Sequence, residues 1–167
     1  MLRDDFIGGM RLAASGVSIV TTRTPNGWAG VTVSSVCSVS ADPPSLLVCI
    51  NQMSRLAQAV VASGVFCVNL LSDEHRALSE LFAGRVPAPK GDRFGAASWL
   101  PLETGAPALK GALVAFDCRL AREVGWGSHH VLIGDVRNVV RGGGRPLVYC
   151  DRGYGRVALE PSLPAQA

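Results

Sequence analysis

The chain has 167 residues, of which 48% are hydrophobic, and a formal net charge of +3. That length suits one domain, with a core large enough to fold without a metal or disulfide staple. The charges are scattered, with no basic run and no interleaving of basic and aromatic residues, so neither nucleic acid nor a membrane surface is an expected partner.

In chain order, Leu2, Phe6 and Met10 recur every four residues and predict an N-terminal helix closing near Gly16. "GVSIVTT" reads as a strand rich in β-branched residues. "TPNGW" reads as a hairpin turn in which Asn26-Gly27 accepts positive φ. The next strand, "GVTVSSVCSVS", alternates valines with small polar residues. Its apolar parity changes between Val33 and Val36, which predicts a β-bulge at the two serines. "SLLVCIN" and "VFCVNLL" are short continuous apolar runs, expected as strands buried on both faces. Between them Ser54 can cap a helix, "RLAQAVVAS", that ends at Gly64. A further helix through Leu78, Leu81 and Phe82 starts at Ser72-Asp73 and closes at Gly84. Residues 85–112 are rich in Pro and Gly and read as a long, mostly irregular excursion. "LVAFDCRLAR" and "HHVLIGDVRNVV" are strands joined by the turn "VGWGS". "LVYC" is a last short strand, and the chain frays after Val157. The expected total is six or seven mostly antiparallel strands with three short helices, an arrangement that suits a closed or nearly closed barrel.

Five cysteines (Cys37, Cys49, Cys67, Cys118 and Cys150) are widely spaced, with no CxxC pair. Each lies in an apolar or small-residue run, where a free cysteine behaves as a small hydrophobe. "MLRDDFIGG" lacks the apolar stretch of a signal peptide, and no apolar run approaches the roughly 18 residues of a membrane span. A reduced, cytoplasmic protein is the expectation.

Hydrolytic machinery is absent from the pattern: there is no GxSxG elbow and no carboxylate pair at a telling spacing. His129 and His130 are adjacent on a strand and point to opposite faces, so they cannot share a metal; no metal site is expected. His75, in the first turn of a helix, reads as a surface residue. A chain poor in acid–base groups and rich in small hydroxyls around apolar strands suits a bound cofactor that carries the chemistry. The plainer alternatives are hydroxyls on a half-exposed strand, a capping serine and a surface arginine.

The blocks "GVSIVTT", "AGVTVSSVCSVSADPPSLLVCIN", "FCVNLL", "LSELFAG", "DRF", "GAPALKGALVAFDCRL" and "GSHHVLIGDV" run in order between Phe6 and Tyr154. Together they resemble the short flavin reductases, the NAD(P)H-dependent partners of two-component aromatic monooxygenases. The resemblance implies a mainly β fold: a six- to seven-stranded antiparallel Greek-key split β-barrel of the FMN-binding type, with short flanking helices. Residues 1–158 would form that domain and 159–167 a flexible tail. It further implies a homodimer, FMN or FAD near the dimer interface, NADH or NADPH as co-substrate, and a flavin-dependent monooxygenase that receives the reduced flavin.

Carried onto this sequence, the resemblance assigns the isoalloxazine edge and ribityl chain to Thr32, Val33, Ser34 and Ser35, then Ser38 and Val39. Ser54 and Arg55 would hold the phosphate at a helix start, where backbone N–H groups and a guanidinium converge. Phe82 of "FAG", with Arg85 nearby, would border the same pocket, and Tyr154 would cover the flavin or the nicotinamide. Gly127-Ser128-His129 aligns with the family's Gly-Asp-His, with serine in place of the aspartate, and His129 would position the nicotinamide. Two alternatives keep the fold: reduction of a corrinoid or ferric acceptor, and a flavin-binding module without turnover.

Overall fold

The computed structural model describes residues 1–159; the tail expected over 159–167 lies, Leu159 apart, outside the described residues. In chain order the elements are α1 (Leu2–Arg11), β1 (Ser15–Gly16), β2 (Ser18–Thr24), β3 (Gly27–Val33), β4 (Val36–Ala41), β5 (Pro44–Asn51) and α2 (Arg55–Ser63). They continue with β6 (Val65–Leu70), α3 (Arg76–Phe82), β7 (Trp99–Pro101), β8 (Pro107–Leu109), β9 (Val114–Trp126), β10 (His129–Arg141), β11 (Leu147–Cys150) and β12 (Gly153–Arg156). Seven strands form one sheet in the order β3-β2-β6-β9-β10-β5-β4, and every pairing is antiparallel.

The closure of that sheet lies at Ser34-Ser35. β3 pairs only with β2 at one edge, and β4 pairs only with β5 at the other. Two residues join them, so the two edges must lie side by side and the sheet curls into a barrel. The Ser35 carbonyl accepts the amide of Cys49 on β5 at 3.0 Å, which anchors the crossing. The expected bulge is therefore corrected: the parity change marks a chain leaving one edge for the other. Register shifts in the barrel fall instead at Ser38/Ser40, Ile133/Gly134 and Val136/Asn138.

Alternation along the strands sends Val20, Val48, Phe66, Val68, Cys118 and Leu132 into the barrel, where all are fully buried. Leu56, Ala57 and Val60 of α2 join this core; Ser54 caps the helix and Gly64 ends it at φ 70°, as its sequence suggests. Each such side chain contributes about 1.5–3 kcal/mol by leaving water. Gly134 leaves the space for Phe66: a Cβ there would stand 2.5 Å from the Phe66 ring. A second cluster lies outside the barrel, where Ile19, Leu71, Leu81, Phe82 and Leu109 pack beneath α3.

Several local expectations are corrected. α1 ends at Arg11, and Ser15–Gly16 forms β1 against β11. The β2–β3 link is Pro25-Asn26, with Gly27 alone at positive φ (117°). β6 is buried on both faces as expected, but β5 is not: Leu47 and Cys49 remain half-exposed. The 85–112 excursion contains the β7–β8 ladder. The β9–β10 turn narrows to Gly127-Ser128, because both strands run on for 13 residues. β12 follows β11 through a turn at Asp151-Arg152, both at positive φ. His75 is half-buried rather than on the surface, its Nδ1 facing the Ser72 amide at 3.2 Å and the Ser72 hydroxyl at 2.9 Å.

Candidate functional site

β3 is the origin of the site because it is an edge strand, so half of its backbone polar groups have no sheet partner. Val31 and Val33 turn inward against the barrel core. Gly30 and Thr32 turn outward under α3. Gly30 is required there by contact: a Cβ would lie 2.9 Å from the Phe82 ring. The Thr32 hydroxyl donates to the Ser79 carbonyl at 2.7 Å, and the Ser79 hydroxyl shares a 2.9 Å hydrogen bond with that of Tyr154. Strand, helix and C-terminal hairpin are thereby tied together.

A cleft of about 810 Å³ runs along this edge. Its walls are Trp28–Val31 of β3, the start of α2 at Ser54-Arg55, and two stretches of the following loop, Gly84–Ala88 and Gly91–Phe94. Three guanidinium groups line it, those of Arg55, Arg85 and Arg93, against one carboxylate, Asp92. That carboxylate is occupied by the backbone amides of Phe94 and Gly95, at 2.9 and 3.1 Å. Among the described residues the arginine ion pairs fall on Arg3, Arg76, Arg137 and Arg156, so the cleft arginines keep their charge for a ligand. The start of α2 adds backbone donors of the same sign. Such a cleft is built for a phosphorylated molecule with a flat body.

A smaller cleft of about 140 Å³ lies on the other side of Arg85, lined by Val17, Thr32, Val33, Ser34, Arg85, Tyr149 and Tyr154 among others. Arg85 is the shared wall. Its Nη2 donates to the Tyr149 hydroxyl at 2.7 Å, and its guanidinium lies over both the Tyr149 and Tyr154 rings, at 5.1 and 5.8 Å. That hydrogen bond also raises the Arg85 pKa above its ordinary value.

A scan against family descriptions matches residues 10–158 to the flavin reductase-like domain. The chain belongs to the flavin reductase-like domain family. It is 49% identical over 160 residues to an FMN reductase (NADH), RutF, of Ancylobacter novellus, covering 95% of this chain and 87% of that relative. Among solved structures it resembles the flavin reductase PheA2, at 30% identity and a TM-score of 0.87, over 95% of this chain and all of that one (100%). It also resembles a homologue of nitrilotriacetate monooxygenase component B from Mycobacterium thermoresistibile, at 31% identity and a TM-score of 0.88, over 99% of this chain and 92% of that one. The family and the split-barrel fold are those the sequence blocks imply.

In this flavin reductase fold the residues singled out from sequence fall into three groups. Ser54 and Arg55 line the larger cleft, while Thr32, Val33, Ser34 and Tyr154 line the smaller one, and Arg85 is common to both. Ser54 spends its hydroxyl on the Leu56 amide at 3.3 Å, so it acts as the helix cap while Arg55 carries the charge. Ser34 also borders a separate cleft of about 610 Å³, where Ser38 lies with Val36, Leu46 and Phe116. Ser35 is exposed in the crossing and Val39 is exposed on β4, and neither Ser38 nor Val39 lines the clefts beside β3. Phe82 is 1% exposed and packs under Gly30, as floor rather than lining.

His129 begins β10 opposite Asn51, at the head of the turn that leads to Ser54, and Gln52 donates to the Ser128 carbonyl at 3.0 Å. Its Nδ1 lies 2.8 Å from the Ser128 hydroxyl. It lines none of the three clefts described above. His130 pairs with Glu123 at 2.6 Å. The cysteines supply no nucleophile in the core: burial pushes the Cys118 thiol up to about 12 and Cys67 well above its usual value.

Sequence reasoning missed Arg93, Phe94 and Trp28 as lining. The available signal was "GRVPAPKGDRF", where two arginines and an aromatic sit together in a Gly/Pro-rich loop of the kind that carries binding residues.

Proposed function

We propose that the chain is an NADH-dependent FMN reductase that supplies reduced flavin to a monooxygenase. The observation that carries this is the arginine-lined cleft along the free edge of β3, in a chain 49% identical to an FMN reductase (NADH). The residues fit a flavin: guanidinium groups and a helix start suit its phosphate, the edge-strand backbone and hydroxyls suit its polar rim and ribityl chain, and aromatic walls suit its rings. When bound, the flavin accepts a hydride from the nicotinamide, so the protein needs no obligatory acid or base. Arg55, with the amides at the start of α2, binds the phosphate. The Thr32–Ser34 segment faces the ring edge, while Tyr154 and Arg85 shield the smaller cleft from water. His129 lies outside these clefts, and its assignment to the nicotinamide rests on the alignment of Gly127-Ser128-His129 with the family's Gly-Asp-His. The value of this placement lies in alignment, since small displacements of reacting rings are costly in rate.

A homodimer is part of this reading, and two apolar surfaces support it. The face of β5, β10 and β9 opposite the barrel core carries Leu47, Cys49, Val131, Ile133, Val124 and Trp126, by alternation and register. All six are half-exposed or exposed, with Trp126 at 81%. The α1 stripe of Leu2, Phe6 and Met10 is also open, and α1 buries nothing. A second copy would cover surfaces of this kind. Among the described residues no helix is long and apolar enough to cross a membrane. All five cysteines are free, which suits a reducing cytoplasm.

The test is anaerobic bleaching of the visible absorbance of FMN by NADH in the presence of the protein, followed by transfer of reduced flavin to an added oxygenase. A protein that binds FMN but leaves it oxidised with both NADH and NADPH would be a binding module instead. Light scattering reads the dimer; a monomer with full reductase activity would refute it.

A further inference from the structure

We propose that the Trp28–Phe94 wall of the β3 cleft is a stacking site for the adenine of a dinucleotide, with Arg93 beside it for the attached phosphate. This rests on the flavin reductase reading and assigns the part of the cleft that a mononucleotide leaves unused. The phosphate of FMN is accounted for at Ser54-Arg55. Arg93 and an open indole then remain along the same cleft with no group to meet.

The wall is built rather than incidental. Trp28 follows the outward parity of Gly30 and Thr32 on β3, yet α3 covers those two and leaves Trp28 42% exposed. Its ring meets Phe94 edge to face, with centroids 5.6 Å apart and planes at 63°. Phe94 is itself held on two further sides, by Phe82 at 5.1 Å and Trp99 at 5.0 Å. The Trp99 indole donates to the Phe94 carbonyl at 3.1 Å, and Asp92 receives the Phe94 amide. A loop aromatic fixed by this many contacts loses little freedom when a ligand arrives. An indole has the strongest face for a purine or a cation, and a guanidinium lining the same cleft suits the phosphate that a nucleotide carries.

Aromatic face and guanidinium together describe the AMP half of a dinucleotide. Two substrates of this chemistry carry one: FAD, whose AMP half continues past the flavin phosphate, and NADH, whose AMP half trails the nicotinamide. The shared chemistry is what the wall recognises, and truncated ligands separate the sources. FMN is FAD without the AMP half; reduced nicotinamide mononucleotide is NADH without it.

The experiment starts with calorimetric titration of AMP into the full chain without flavin, comparing the parent, Trp28→Leu and Trp28→Tyr. AMP affinity should fall about tenfold in Trp28→Leu, the scale of one lost base–aromatic stack, and be largely restored in Trp28→Tyr. The same variants are then titrated with FMN and FAD, and assayed with NADH and reduced nicotinamide mononucleotide. A loss selective for FAD over FMN assigns the AMP half of the flavin. A rise in KM selective for NADH over its mononucleotide assigns that of the nicotinamide. Absence of AMP binding in the parent, equal AMP affinity in all three proteins, or equal losses for whole and truncated ligands would overturn the proposal. Failure of the reductase reading has a different signature, the parent's inability to reduce FMN with NADH, because AMP binding is read without flavin or turnover. Melting curves of the variants distinguish a lost platform from a lost fold.

Discussion

Arg55→Ala separates a phosphate site from a helix that merely begins in the cleft. The side chain is exposed but opens onto a cleft that also holds Arg85 and Arg93. A hydrogen bond to a charged group is worth about 1.5–3 kcal/mol when sheltered, and an exposed ion pair about 0.2–1 kcal/mol. A cleft-side guanidinium lies between these, so about 1–2 kcal/mol, or roughly a 5- to 30-fold weaker Kd for FMN, is expected. The helix itself should survive. Ser54 still caps it, Leu56, Ala57 and Val60 still bury its inner face, and alanine is a good residue for a first turn. Equilibrium titration of flavin fluorescence with parent and variant gives the two affinities, with riboflavin as the ligand lacking the phosphate. Riboflavin should bind both proteins within about twofold, since an exposed substitution that touches nothing shared costs little. Raising salt should weaken FMN binding to the parent more than to the variant, because one screened charge pair has been removed. Equal losses for FMN and riboflavin would refute the assignment, as would an FMN affinity that does not change.

Three further outcomes follow from particular contacts. His129→Ala should raise the KM for NADH and slow flavin reduction in stopped flow, while His130→Ala, whose imidazole is engaged with Glu123 on the adjoining strand, should behave as the parent; a slower His130 variant would reverse the assignment. Gly134→Ala should cost about 1–3 kcal/mol or more in chemical denaturation, because the new methyl group meets the fully buried Phe66 ring at 2.5 Å, whereas Gly143→Ala, with nothing within 4 Å, should be nearly neutral. Burial lowers the His75 pKa, with Glu74 opposing, so the folded state holds that proton less tightly than the unfolded state. Stability should therefore be full above the unfolded value of about 6.5 and fall as pH drops below it, a step that thermal melts of His75→Asn should lack.

The strands, the α2 cap and the family blocks were legible because each is written locally. Val20, Val48, Val68 and Leu132 sit in β-branched or apolar runs of strand length, and Ser54 to Gly64 carries both ends of its helix within eleven residues. What was not legible depends on partners distant in sequence. His75 reads as a surface residue in isolation, and only Ser72 and the chain packed around it make it half-buried. β7 and β8 have three residues each, too few for a period, and exist because they pair with one another.

The Ser34-Ser35 step shows why fold and site escaped together. A parity change across two serines is compatible with a bulge on one partner or with a change of partner. Only the registers settle which, with Val33 opposite Ser18 on β2 and Val36 opposite Val48 on β5. The same step then decides the chemistry. Because the chain abandons β2's side of the barrel at that point, β3 is left as an edge whose backbone is open to the cleft, and Ser38 and Val39 are carried away to the opposite edge. The strip reads as six equivalent positions along one strand, Thr32 to Ser35 with Ser38 and Val39. In the barrel it is two half-strips, and only the half before the crossing shares a wall with Arg85 and Tyr154, beside the cleft that Arg55 lines. Phosphate-side and ring-side substitutions should accordingly cluster in β3, α2 and the 84–94 loop, while changes on β4 report on the cleft that Ser38 borders.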